Sequence, residues 1–209
     1  MFSLKNLLFY LLMLPLFGVF QLLNTPSSDL KSLKIISFRI TCITFLLSFY
    51  ITIIFKPTVG TFQFVTKNSW LNLLNVNLNL GIDGISLFFV LLTTLLIALC
   101  LLISWDTVKF NLKEYLISFL VMEFFLIGVF CVLDLLLFYI FFESVLIPMF
   151  LIIGLWGSRE RKIRAAYFFF LYTLSGSILM LLSILYIYLQ SGTTDYEILL
   201  TFTFSSFEQ

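Results

Sequence analysis

Long apolar stretches separated by short polar connections dominate the sequence. Six of them are long enough to cross a membrane, whose hydrocarbon core of about 30 Å needs roughly 20 helical residues. An α-helix suits this task because it pairs its own backbone groups internally. The sequence therefore predicts an all-α integral membrane protein, a single membrane domain over 1–209, with helices at about 7–23, 35–55, 85–105, 115–133, 135–156 and 165–189.

One connection, over 56–82, is much longer than the others. Within it, 61–65 and 76–80 alternate between apolar and polar residues as strands do, on either side of the polar segment 67–69. We expect a short β-hairpin near 61–80, with its turn around 67–69, on the outer surface of the membrane. This hairpin serves either as a tether between helices or as an open strand edge on which a partner pairs.

Basic residues are unevenly divided between the two sides that six crossings create. Short loops rich in Lys and Arg stay on the side from which helices are inserted. One side has three such residues and the other has nine, so we expect both termini, the connection 56–82 and the tail 190–209 to lie outside, with no helix in 196–209. The three are Lys5, Lys56 and Lys67, and the nine are Lys31, Lys34, Arg39, Lys109, Lys113, Arg159, Arg161, Lys162 and Arg164.

The inner loop 157–164 carries four of these basic residues in eight positions. The positive-inside bias alone accounts for such a loop. Binding to anionic lipid headgroups is the alternative.

Composition supports a membrane protein and excludes several functions. Apolar residues make up 61% and charged residues 11% of the chain, against about 45–50% and 25% in soluble domains. The net charge of +1 gives no general attraction to nucleic acid. Histidine, the usual haem ligand and commonest zinc ligand, is absent. We interpret Cys42, Cys100 and Cys131 as small buried apolar side chains, and we expect no metal and no redox cofactor.

Three carboxylates lie within or beside the predicted membrane helices. Glu123 is in the middle of the fourth helix, Glu143 is in the first half of the fifth, and Asp134 is at the turn between them. At 1.5 Å per residue, both glutamates lie roughly 13–15 Å from the outer surface, near the midplane. A charge there costs several kcal/mol unless it is paired, hydrated or used. Glu123 and Glu143 are therefore candidate proton-relay residues, or else structural charges satisfied by a neighbouring helix. Asp134 is predicted to cap the fifth helix.

Pro148 lies close to Glu143 in the fifth helix. Because proline lacks an N–H, the carbonyl of Ser144 loses its usual partner. That carbonyl can hold a water or bend the helix, and both help a nearby carboxylate exchange a proton. Pro15 has the same effect in the first helix with no charge nearby, so a proline kink by itself is weak evidence for a functional site.

Three segments of the sequence resemble a known family. They are LGIDGISLFFVLLTT at 80–94, the run 133–177 that begins LDLLLFYIFFESVLIP, and QSGTTD at 190–195. They are similar to subunit 4 of mitochondrial NADH:ubiquinone oxidoreductase (respiratory complex I), one of the antiporter-like membrane subunits. The resemblance is close from about residue 77 onwards and looser before it. It implies the N-terminal portion of a larger helical bundle built from inverted repeats.

The resemblance also implies a role for each glutamate. Glu143, in FFESVLIP, corresponds to the carboxylate that in this family works with a lysine on the seventh helix, and Glu123 corresponds to a second membrane carboxylate. The chain would belong to an enzyme, in its proton-translocating membrane arm, without performing redox chemistry itself. NADH, FMN, iron–sulfur clusters and ubiquinone would be bound by other subunits.

Partners and location follow from the same resemblance. A separate chain is expected to supply the remaining helices of the subunit, beside neighbouring antiporter-like subunits and membrane lipid such as cardiolipin. The expected location is the mitochondrial inner membrane, with both termini in the intermembrane space and 157–164 in the matrix. Two alternatives stay open: a subunit of a cation/proton antiporter, and a structural or assembly subunit without its own proton path.

Overall fold

The fold consists of long helices and one small sheet. The computed structural model describes residues 6–71 and 76–203. Within them, six helices are long and apolar enough to cross a membrane, which confirms the predicted fold class. In chain order the elements are α1 (Leu7–Asn24), α2 (Leu30–Ile54), β1 (Gln63–Leu71), β2 (Val76–Ile82), α3 (Gly84–Ile103), α4 (Leu112–Cys131), α5 (Leu135–Trp156), α6 (Lys162–Ser191) and the one-turn helix α7 (Tyr196–Leu199).

Carboxylate caps determine where several helices begin. The side chain of Asp29 accepts hydrogen bonds from the hydroxyl and the backbone N–H of Ser32, and these bonds lower the pKa of Asp29. Asp83 forms a capping box with Ser86 at the start of α3. Asp134 caps α5, as predicted. The prediction of a tail without a helix was wrong, because Asp195 caps the short helix α7.

The predicted hairpin is present, but its turn was misplaced. β1 and β2 pair antiparallel, with Thr66 opposite Leu80 and Lys67 opposite Asn79. The polar segment 67–69 therefore lies within β1, and the connection 72–75 lies outside the described residues. A strand exposed to solvent accepts polar residues along its length, as the exposed Lys67 illustrates. Polarity alone consequently did not mark the turn.

Helices α1 to α4 form a four-helix core, onto which α5 and α6 are added in sequence. α1 packs on α2 and α4, α3 packs on the same two helices, α5 packs on α4, and α6 packs on α5. Glycine permits close contact between α4 and α5, since a Cβ on Gly128 would lie 2.5 Å from the ring of Phe141. The largest fully buried apolar side chains are Leu8, Leu11, Leu12, Leu22, Leu33, Ile51, Leu80, Ile82, Leu120 and Ile127.

The predicted burial of all three cysteines was only partly right. Cys131 is buried, Cys42 is half-buried and Cys100 is exposed. Apolar residues occur on every side of α3, so their distribution does not distinguish the face that packs on α2 and α4 from the face that carries Cys100.

One end of the bundle, which we call the basic end, collects the α1–α2, α3–α4 and α5–α6 connections. There, the Nζ of Lys113 donates to the carbonyls of Leu23 (3.0 Å) and Thr25 (2.9 Å), at the end of α1. The Nζ of Lys34 donates to the carbonyl of Trp105. These bonds satisfy carbonyls that the ends of helices leave without partners.

At the opposite end, the hairpin end, the α4–α5 turn lies between β2 and the segment that follows α6. The N–H of Leu133 donates to the carbonyl of Asn79 (2.8 Å). The N–H of Leu135 donates to the carbonyl of Thr194 (3.0 Å), and the N–H of Tyr196 donates to the carbonyl of Leu133 (2.9 Å). Three distant stretches of the chain are thus joined by backbone hydrogen bonds.

Buried side chains reinforce this junction. The hydroxyl of Thr194 donates to Oδ2 of Asp134 (2.7 Å), and Nδ2 of Asn79 donates to Oδ2 of Asp195 (2.6 Å). Exposure of these four side chains ranges from 1% to 7%. We call Asn79, Asp134, Thr194 and Asp195 the clamp. It fixes the start of α5 relative to the end of α6.

Replacing Thr194 with valine keeps the shape of the side chain but removes the donor to Asp134. We expect Thr194→Val to lower the free energy of unfolding by about 1–3 kcal/mol, because a buried carboxylate oxygen loses a hydrogen bond. Resistance of the membrane-embedded protein to protease, followed against temperature, measures the loss. Thr194→Ser should restore stability, and the exposed Thr201→Val should be neutral. Equal stability of Thr194→Val and wild type would contradict the structural role of the clamp.

Candidate functional site

Glu123 lies at the centre of the four-helix core. Its exposure is 0%, because α4 contacts α1, α2 and α3 as well as α5. Oε1 accepts a hydrogen bond from the hydroxyl of Thr44 on α2, at 2.6 Å. Oε2 is buried and has no hydrogen-bond partner among the described residues. The structure therefore holds a carboxyl group in an apolar interior, with one of its two oxygens bonded and the other without a partner.

The partner of Glu123 belongs to a row of hydroxyls on α2. Ser37, Thr41, Thr44 and Ser48 recur every three or four residues and are at most 1% exposed, so they share the helix face that points into the core. Ser48 continues the row to α3, where its hydroxyl is 2.9 Å from that of Thr94. These four residues were not among the predicted site residues, although their spacing within an apolar run is visible in the sequence.

Glu143 has a different environment on α5. Its side chain is half-buried, and its Oε2 is buried without a hydrogen-bond partner in the described part of the chain. The buried Pro148 follows five residues later, and α5 continues through it. Glu143 is thus shielded at one oxygen but is not enclosed in the core as Glu123 is.

The two glutamates do not form one connected site within residues 6–71 and 76–203. No hydrogen bond joins them there, although α4 and α5 are neighbours. The ion pairs found in those ranges lie elsewhere: Lys34 with Asp106 at 3.8 Å and Lys67 with Glu197 at 2.8 Å. Neither glutamate therefore has a basic partner in the described structure.

The ion pair at the hairpin end links the sheet to the segment after α6. The hydrogen bond from Lys67 to Glu197 raises the pKa of Lys67. Both side chains are partly exposed, so water screens their attraction and the pair adds little stability. It orients β1 rather than contributing a buried charge to the core.

Comparisons with known proteins identify the type of bundle. Residues 132–209 match the family model described as NADH:quinone oxidoreductase/Mrp antiporter, TM. NADH-ubiquinone oxidoreductase chain 4 of Chondrus crispus is 59% identical over 93% of this chain and 40% of its own length. A chain in the structure of respiratory complex I from Thermus thermophilus with bound NADH is 31% identical, with a TM-score of 0.79 over 95% of this chain and 40% of that one.

A more distant structure shares the fold. A chain of the Mrp complex from a Dietzia species superposes with a TM-score of 0.72, at 16% identity, over 92% of this chain and 20% of its own length. This likeness concerns the fold alone. The chain spans about 40% of the length of the curated relatives it matches, as expected for an N-terminal portion. Over most of its length the chain is therefore similar to antiporter-like membrane subunits, which include chain 4 of NADH-ubiquinone oxidoreductase.

Proposed function

We propose that the chain works in the proton-translocating membrane arm of respiratory complex I. The observation that carries this proposal is Glu123, a carboxyl group fully buried in a membrane helix with one oxygen unpartnered, in a chain 59% identical to a chain 4 subunit. NADH oxidation and ubiquinone reduction would take place on other subunits, which also hold FMN and the iron–sulfur clusters. This chain would supply carboxylates that take up and release protons.

Burial gives Glu123 the properties of a proton carrier. A permanent charge in the hydrocarbon is costly, so the group is tolerated when it can become neutral or when a partner compensates it. Each change of charge state moves one proton on or off the group. Thr44 is a donor that favours the charged form through its hydrogen bond to Oε1. The two states can thus both occur in this site.

Glu143 is proposed to exchange charge with a lysine that another part of the subunit contributes. Its unpartnered Oε2 supports this, since a proton that passes from a lysine ammonium group to a carboxylate neutralises both groups and leaves no isolated ion in low dielectric. Relatives with the name chain 4 favour complex I over a cation/proton antiporter, because the Mrp likeness is one of fold alone.

Replacing each glutamate with glutamine tests the relay. In the assembled complex we expect Glu123→Gln and Glu143→Gln each to lower the protons pumped per NADH by about tenfold or more, as for loss of a proton-transfer group. The ratio is measured in sealed vesicles from the change in internal pH and from NADH absorbance. Glu160→Gln, in the basic loop, is the matched control and should pump normally. Wild-type pumping in a Glu143→Gln complex of normal abundance would remove Glu143 from the mechanism and favour a structural role.

The remaining helices of the subunit are proposed to pack on α6. Only Ala166, Ser177 and Ile184 of α6 are buried, and a Cβ on Gly176 would meet nothing within 4 Å. Such small residues permit close approach of a neighbouring membrane helix. Neighbouring antiporter-like subunits would border other faces of the bundle.

Photo-crosslinking from α6 tests for this contact. A photoreactive group at the exposed position 179 should attach to a membrane helix that lies outside residues 1–209 and carries lysine, identified by mass spectrometry of the complex. A probe at the buried Ser177 should react only within this chain. Attachment at 179 to lipid alone would show that no further helix packs on this face of α6.

We further propose that the protein lies in the mitochondrial inner membrane with its basic end in the matrix and both termini in the intermembrane space. Arg159, Arg161, Lys162 and Arg164 all belong to that end, and their charges suit the phosphates of cardiolipin. The nine-to-three division of basic residues supports this orientation.

Thiol labelling tests the orientation. In a background with the three native cysteines replaced by serine, Ser158→Cys should react with a membrane-impermeant maleimide only when the matrix side is open. Thr58→Cys, in the exposed connection after α2, should react only from the opposite side. Labelling of Ser158→Cys from the intermembrane space would reverse the assignment.

A further inference from the structure

Five buried hydroxyls define a line through the core. Ser37, Thr41, Thr44 and Ser48 lie along one face of α2, and Thr94 of α3 contacts the last of them. At 1.5 Å per residue the row from 37 to 48 extends about 16 Å along the helix axis. This is about half of the hydrocarbon thickness of roughly 30 Å. We call these five residues the hydroxyl lane.

We propose that the hydroxyl lane conducts protons to and from Glu123. The inference rests on the proposed function, because it gives a route to a carboxyl group already assigned to proton transfer. It assigns a role in proton transfer to Thr44, Ser48 and Thr94, which carry no charge themselves. The proton is the only species that moves: one enters the lane as another leaves it, so each hydroxyl is regenerated.

The hydrogen bond between Thr44 and Glu123 can change when the charge of the carboxyl group changes. The Thr44 hydroxyl has a single proton and two acceptors within reach, Oε1 of Glu123 at 2.6 Å and the carbonyl of Thr41 at 2.9 Å. An ionised Glu123 draws this proton, because hydrogen bonds to a charged acceptor are stronger. Once Glu123 is protonated, the Thr44 hydroxyl can turn to the carbonyl and accept a hydrogen bond itself.

The Ser48–Thr94 contact has the same two-way character. The two oxygens are 2.9 Å apart and either one can donate, so the direction of this hydrogen bond can reverse. No direct bond joins Thr44 to Ser48, which lies one helical turn away. The buried, unpartnered Oε2 of Glu123 offers an acceptor for a water molecule that continues the path.

Helix packing is the competing explanation of the lane. Small hydroxyl residues allow membrane helices to approach, and Ser37, Thr41 and Ser48 each bond to a carbonyl three residues earlier. Packing alone, however, requires neither the bond from Thr44 to Glu123 nor that between Ser48 and Thr94. Valine has nearly the shape of threonine, so a Thr→Val change preserves packing and removes proton conduction.

The test uses Thr44→Val and Thr94→Val in the assembled complex. We expect normal amounts of complex but about threefold or greater loss of protons pumped per NADH, with a changed solvent isotope effect in D2O, because a donor–acceptor group is missing. Thr44→Ser should retain coupling. Thr93→Val is the matched control, since Thr93 is half-buried and its hydroxyl bonds only to the carbonyl of Val90 (2.8 Å).

The possible results distinguish the hydroxyl lane from the proton transfer proposed for Glu123. Wild-type coupling in Thr44→Val and Thr94→Val, with impaired coupling in Glu123→Gln, overturns the lane and leaves the proposed function in place. Normal coupling in Glu123→Gln overturns both. If a valine variant does not assemble, Ser48→Ala takes its place, and unchanged coupling there also overturns the lane. A shift of the Glu123 carbonyl stretching band in Thr44→Val, seen by infrared difference spectroscopy, would support direct coupling between the two groups.

Discussion

Removal of water from the interior is the constraint on which the rest of this structure depends. Every polar atom inside the bundle must find a partner within the protein, because the surrounding hydrocarbon offers none. Long helices meet this demand along their length, and lysine side chains such as Lys113 meet it at the end of α1. Among the described residues, a few buried side-chain atoms have no such partner, and they include Oε2 of Glu123 and Oε2 of Glu143.

Local features of the fold could be predicted from the sequence, whereas the environment of the site could not. The six helices and the cap by Asp134 depend on residues close together in the chain, so apolar length and capping chemistry were sufficient. The contact of Thr44 with Glu123 joins residues 79 positions apart. A threonine in an apolar run looks the same whether it faces lipid or the core, and the exposure of Cys100 was misjudged for the same reason.

The helices of the bundle also differ in how many of their residues are buried. α4 contributes eleven buried residues, and α6 contributes three. Glu123 therefore belongs to a part of the molecule where its neighbours are fixed by packing on several sides. Glu143 lies on the helix that connects this part to α6, so its surroundings depend on what covers the outer helices. The described residues enclose Glu123 completely, whereas they bury Glu143 only in part.

The clamp at the hairpin end has a consequence for biogenesis. The partner of Asp134, Thr194, lies 60 residues further along the chain. The ribosome must therefore synthesise α5 and α6 before this hydrogen bond can form. Until then the α4–α5 turn has β2 as its neighbour but lacks its hydrogen bonds to residues 194–196. The helix α6 must therefore be made before the α4–α5 turn can form all of its contacts at this end. The order of assembly thus follows from the topology of the chain, because the clamp can form only after α6 is in place.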